Sequence, residues 1–134
     1  MPDLLADPDR WHVATGIALP AAVGDALEAS AYGPFTVHVV DDPAQWLTHS
    51  TAHPHAALIL VDDGGSDVRG LLADAAPDTA VLIVVAALDP AVALEWWQRG
   101  AQDVLLRDEL AAPSLPLRLR AAIERKRLER DART

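Results

Sequence analysis

Five short apolar runs rich in β-branched residues are spaced along the chain, and each is separated from the next by a stretch with helical spacing. The runs are Trp11 to Ile17, Phe35 to Val40, Ala57 to Val61, Ala80 to Ala86 and Val104 to Leu106. The third and fourth are almost continuously apolar, the pattern of central parallel strands covered on both faces. Helix-start signals fill the gaps. Pro20 suits a first helical turn, and that segment reaches Tyr32 before Gly33-Pro34 stops it. Asp42-Pro43 supplies an N-cap and a proline at the first helical position for a helix to about Ala52, and Asp89-Pro90 repeats the signal for one ending at Gly100. A short helix from Ser66 or Asp67 to Ala75 is closed by Pro77. The last helix starts near Pro113 and Ser114 and carries Leu115, Leu119, Ala122 and Ile123 on one side.

Strict alternation of strand and helix predicts βαβ units with right-handed crossovers, and hence an α/β fold with helices on both faces of a parallel sheet. Five strands and five helices fit the flavodoxin-like doubly wound order 2-1-3-4-5. In that order a site lies beyond the carboxyl ends of strands one, three and four.

A chain of 134 residues with 51% apolar content supports one core. We expect an N-terminal arm at 1–10, a domain at 11–123 and a charged helical extension at 124–134. Aromatic residues make up only 4%, so aliphatic side chains must fill that core, which favours α/β over a sandwich. The absence of cysteine excludes disulfides, thiolate metal sites and cysteine nucleophiles. No apolar run is long enough to span a bilayer and nothing near Met1 resembles a signal segment, so a cytoplasmic protein with no membrane contact is expected. The net charge of −9 argues against nucleic-acid binding. From Arg118 onward seven basic residues face three acidic ones, a net of +4, so residues 1–117 carry −13. The basic tail reads as a solvated helix of mixed charge.

Four segments carry a family likeness: Ala57-Leu-Ile-Leu-Val-Asp62, Ala76-Pro-Asp-Thr-Ala-Val-Leu-Ile-Val-Val85, Gly100-Ala-Gln-Asp-Val-Leu-Leu-Arg-Asp108 and Ala121-Ala-Ile-Glu-Arg-Lys-Arg-Leu-Glu-Arg130. In this order they resemble the third strand, fourth strand, fifth strand and last helix of the response-regulator receiver (CheY-like) family, and the likeness covers residues 35 to 130. Val37-His-Val-Val-Asp-Asp-Pro43 looks at first like the acidic pair that ends strand one of a receiver. Spacing decides otherwise. Asp42 to Asp62 leaves room for one crossover, whereas strands one and three of this topology are separated by two. Asp41 and Asp42 therefore close strand two.

The resemblance implies a phosphoacceptor position at Asp62, which needs a divalent ion, a cation for the phosphate and a hydroxyl beside it. Little of this set is present. Strand one ends Ala14-Thr-Gly-Ile-Ala18 without an acid, and Asp63 is the one carboxylate next to Asp62 in sequence. The hydroxyl position falls on Val85 or Ala86, Arg107 replaces the lysine, and Val104 takes the aromatic position. Arginine keeps the charge but not the compact ammonium geometry, and Arg107 is expected at the end of strand five, where it could pair with Asp62. These departures predict a degenerate form, a pseudo-receiver that regulates a protein partner or fused output domain by contact. It would have no catalytic residue, metal or cofactor. Two alternatives stand beside it: an atypical phosphorylatable receiver using Asp62 and Mg²⁺, and a small-ligand sensor at the strand-end crevice.

Trp96 and Trp97, about 100° apart on the fourth helix, cannot both point into a narrow core. With Leu115 and Leu119 of the last helix they form the expected interaction surface, and by resemblance a homodimer could use the fourth helix, strand five and the last helix. His49, His53 and His55 read as an exposed turn rather than a metal site, since Pro54 breaks the helix. Gly64-Gly65 lacks the rest of a phosphate-cradling loop.

Overall fold

The computed structural model describes residues 11–39, 56–62, 68–75 and 79–133. The strands are β1 (Trp11–Thr15), β2 (Phe35–Val39), β3 (Ala57–Val61), β4 (Ala80–Val85) and β5 (Asp103–Leu106). The helices are α1 (Ala21–Glu28), α2 (Val68–Ala75), α3 (Pro90–Gln98) and α4 (Leu115–Arg133), with a 3₁₀ turn at Arg107–Ala111. All strand pairs are parallel, in the order β2-β1-β3-β4-β5. This is the doubly wound order that the alternation of elements predicts. The helix expected over Asp42 to Ala52 lies outside the described residues, as do Asp41 and the His49, His53 and His55 segment.

Register explains why the middle strands are apolar throughout. Ala57 of β3 pairs with Val13 of β1 and with Ala80 of β4, and Leu82 of β4 pairs with Asp103 of β5. Alternate side chains then fill two separate cores. Ala14, Leu58, Leu60, Val81, Ile83 and Val104 pack with Val68 and Leu72 of α2 and Ala93 and Trp96 of α3. On the opposite face, Val13, Ile59, Leu82 and Leu105 pack with Leu27 of α1 and Leu119 and Ile123 of α4. All six residues of β4 are buried, so neither face of that strand tolerates a polar residue.

Local chemistry sets the ends of the elements. Thr15 donates its hydroxyl to the Ile17 carbonyl at 2.9 Å and accepts from the Ile17 N–H at 3.2 Å, a side-chain turn that stops β1 two residues short of the apolar run. α1 ends at Glu28 rather than Tyr32 because the Ser30 hydroxyl accepts from the Tyr32 N–H at 3.0 Å, drawing the backbone out of the helix. At α3 the Asp89 carboxylate accepts from the Ala91 N–H at 2.8 Å and Pro90 fills the first helical position. Gly100, at φ 108°, closes the same helix in a conformation that costs other residues strain. Asp89→Ala should therefore lower stability by about 1 kcal/mol, read as a shifted urea midpoint with an unchanged slope.

α4 runs unbroken through the boundary expected after Ile123. It is clamped at the start of β1, where Arg120 and Arg127 lie over the Trp11 ring at 4.6 and 5.4 Å and Arg120 donates to the Tyr32 carbonyl at 2.8 Å. Among the described residues no helix is long and apolar enough to cross a membrane.

Candidate functional site

The carboxyl ends of β1, β3 and β4 open on one side of the sheet, where a doubly wound fold places its ligands. Asp62 follows β3, and its N–H donates to the Val84 carbonyl at 2.8 Å. That bond extends the ladder by one residue and holds Asp62 half-buried at the strand end. Among the described residues its carboxylate has no hydrogen-bond or ion-pair partner. Asp63, Gly64 and Gly65 lie outside the described residues.

The end of β1 offers Asp62 no charge. The Gly16 N–H donates to the Ile59 carbonyl at 3.0 Å, and the buried Thr15 hydroxyl is turned to Ile17. At β4 the side chain of Val85 is buried in the core shared with α2 and α3, and Ala86 follows it exposed. Neither has a hydroxyl. Among the described residues no group of three or more His, Asp or Glu side chains is arranged to hold a metal ion.

Arg107 stands directly after β5, where it is expected, and opens the 3₁₀ turn with its side chain exposed; among the described residues it forms no ion pair with Asp62. The turn is set by Glu109, whose carboxylate accepts from the Leu106 N–H at 2.8 Å and turns the chain directly after β5.

The expected interaction surface needs a correction. Leu115 and Leu119 are 1% and 0% exposed, because the side of α4 that carries them with Ala122 and Ile123 is the one laid on the sheet. Trp96 also belongs to the core at 4% exposure, with Arg69 over its ring at 5.8 Å. Trp97 is 53% exposed, and Leu94 one turn before it is half exposed. On the other flank of α3, Glu95 accepts from Arg69 of α2 and from Arg99, and the Arg69 hydrogen bond leads in holding its carboxyl below the usual range. Trp97 and Leu94 therefore turn away from α2.

Two clusters escape sequence reasoning. Arg118 donates Nε and Nη2 to the Asp103 carboxylate, each at 3.0 Å, and Nη1 to Glu109, joining β5, the 3₁₀ turn and α4. Burial works against the Arg118 charge, but its bonds to Asp103 and then Glu109 outweigh it and raise its pKa. The Glu109 carboxyl is held low, first by the Leu106 N–H and then by Arg118, against burial. Second, His12 Nδ1 and His38 Nε2 approach to 2.8 Å with their rings stacked, so one nitrogen carries the proton and the other accepts it. These partners stand 15 and 26 residues apart in sequence, beyond any local periodicity.

No family model and no curated relative matches the chain. Solved structures do. A response regulator from Thermotoga maritima superposes with a TM-score of 0.67 at 18% identity, over 86% of this chain and 98% of that one. The signal receiver domain of the response regulator NarL from Mycobacterium tuberculosis matches at 26% identity and a TM-score of 0.61, over 88% and 96%. NtrX from Brucella abortus, solved in complex with ADP, matches at 18% identity and 0.65; the fit covers 92% of this chain but 28% of that longer one.

Proposed function

We propose that this chain, which has the fold of response-regulator receiver domains, is a pseudo-receiver that signals by protein contact rather than by phosphorylation. One observation carries the reading: among the described residues the Asp62 carboxylate has no charged or hydroxyl partner at the ends of β1 or β4, and Arg107, which opens the 3₁₀ turn, forms no ion pair with it. Transfer of a phosphoryl group to a carboxylate rests almost wholly on positioned charge, a divalent ion and cations around the equatorial oxygens. An isolated carboxylate supplies only the nucleophile.

The contact surface in this reading is the flank of α3 bearing Leu94 and Trp97. An exposed tryptophan beside a second apolar side chain is the kind of anchor that dominates protein interfaces. The partner is a separate protein, a second copy or an output domain joined beyond α4, whose last turns are exposed and charged. The domain has no turnover of its own.

Incubation with acetyl phosphate and Mg²⁺, followed by intact-mass measurement, tests the proposal. The expected spectrum is that of the untreated chain, identical for wild type and Asp62→Asn. A stoichiometric phosphoryl adduct that disappears in Asp62→Asn would establish the phosphorylatable alternative instead.

A further inference from the structure

The two edges of the sheet are finished differently. β5 forms one edge, and its N–H groups at Val104 and Leu106 donate to the carboxylates of Asp103 at 2.9 Å and Glu109 at 2.8 Å, with Arg118 paired to both acids. Charged side chains on an edge guard it against pairing with a foreign strand. β2 forms the other edge and carries no such guard. It holds no Asp, Glu, Lys, Arg or Pro, and its register runs from Trp11 opposite Phe35 to Thr15 opposite Val39 without a bulge. Successive residues of a strand turn their backbone groups to opposite neighbours. The Pro34 carbonyl accepts from the Trp11 N–H at 3.0 Å, so Thr36 and His38 also face β1, and Phe35, Val37 and Val39 face the open side. Among the described residues no backbone group meets those three there.

The outward residues are spaced evenly about Val37, which makes the edge complementary to itself. When two β2 strands run antiparallel across a two-fold axis, Val37 meets its own counterpart and Phe35 meets Val39, so each copy supplies three N–H and three C=O groups and all six hydrogen bonds close. The facing pairs are then aromatic with β-branched or β-branched with β-branched, which stabilise a sheet. No like charges meet along the contact, although each chain carries −9. A foreign strand would have to match this neutral register, whereas a second copy supplies it by symmetry. We propose that the chain forms a two-fold homodimer by antiparallel pairing of β2 with β2, joining two five-stranded sheets into one of ten strands. The pairing is independent of the α3 flank and of whether Asp62 accepts phosphate.

Sedimentation equilibrium of the full chain over a range of concentrations tests the pairing. The expected state is a reversible dimer of micromolar affinity, since one strand pair makes a small interface. Added salt should tighten it, because the contact holds no ion pair while the two acidic bodies repel. Val37→Pro removes an N–H that one copy alone does not use, and should weaken the dimer about thirtyfold through two lost hydrogen bonds. Trp97→Ala should leave it unchanged. Cross-linking reads the register separately, since the chain has no cysteine of its own. Thr36→Cys mixed with His38→Cys should give a disulfide-linked heterodimer on mild oxidation, because these positions face each other as a non-hydrogen-bonded pair with Cα atoms about 4.5 Å apart. Neither variant alone should cross-link, its two cysteines being offset along the strands. The proposal fails if the chain stays monomeric up to about 1 mM, if Trp97→Ala dissociates the dimer and Val37→Pro does not, or if the mixture cross-links no better than either variant alone.

Discussion

Leu119→Ala should destabilise the protein by about 3 kcal/mol, whereas Leu117→Ala, two residues away on the same helix, should change stability by no more than about 0.5 kcal/mol. Leu119 is 0% exposed in the core shared by Val13, Leu82 and Leu105, and Leu117 is 49% exposed on the outer side of α4. Truncating Leu119 removes transfer energy and also leaves a cavity, because β3 and β4 behind it are fixed by their neighbours on both sides. For a domain of ordinary stability, about 5–15 kcal/mol, that is a large share, and it lowers Tm by about 10 °C. Urea unfolding of the two variants checks the orientation of α4. Equal losses, or a larger loss at Leu117, would mean that α4 presents another side to the sheet and that Leu119 is free for an interface after all.

The same residues explain what the sequence could reveal. Spacing of Leu115, Leu119, Ala122 and Ile123 identifies an apolar side of a helix, but periodicity is silent on whether a sheet or a partner covers it. The sheet covers it here, so the buried anchors and the exposed contact residues had to be separated by geometry. The strands were legible for a simpler reason: β3 and β4 are buried on both faces, and only continuous aliphatic runs satisfy that. Assigning Asp41 and Asp42 to the end of strand two agrees with β2 at Phe35–Val39 on the sheet edge. The place of Arg107 at the end of strand five was legible, but the 3₁₀ turn that it opens was not, since that turn depends on Glu109 reaching back to one backbone N–H. That Asp62 follows β3 was legible, while its lack of a charged partner among the described residues followed from how the neighbouring strand ends turn.

Arg118→Met should cost about 2 kcal/mol at neutral pH, and the cost should shrink in acid. Arg118 neutralises two carboxylates at once, Asp103 and Glu109, all three side chains being less than a third exposed. Methionine keeps the packing of the stem but leaves both acids without their cation, and partly buried charge without a partner is more costly than the pair itself was worth. The direction with pH follows from Glu109, whose folded pKa lies below the ordinary 4.5. A depressed carboxylate pKa contributes stability above the unfolded value, and that contribution is lost as pH falls through the folded one. Wild type should therefore lose stability below about pH 4.5, and the difference from Arg118→Met should narrow over the same interval. Glu109→Gln separates the two supports of the turn. Its amide oxygen can still accept from the Leu106 N–H, so it should cost less than Arg118→Met and respond less to acid. Urea midpoints of the three proteins at neutral pH and near pH 3 decide the matter. A gap between wild type and Arg118→Met that stays constant across that range would show that Arg118 stabilises through its aliphatic stem, and that the joint between β5 and α4 is not electrostatic.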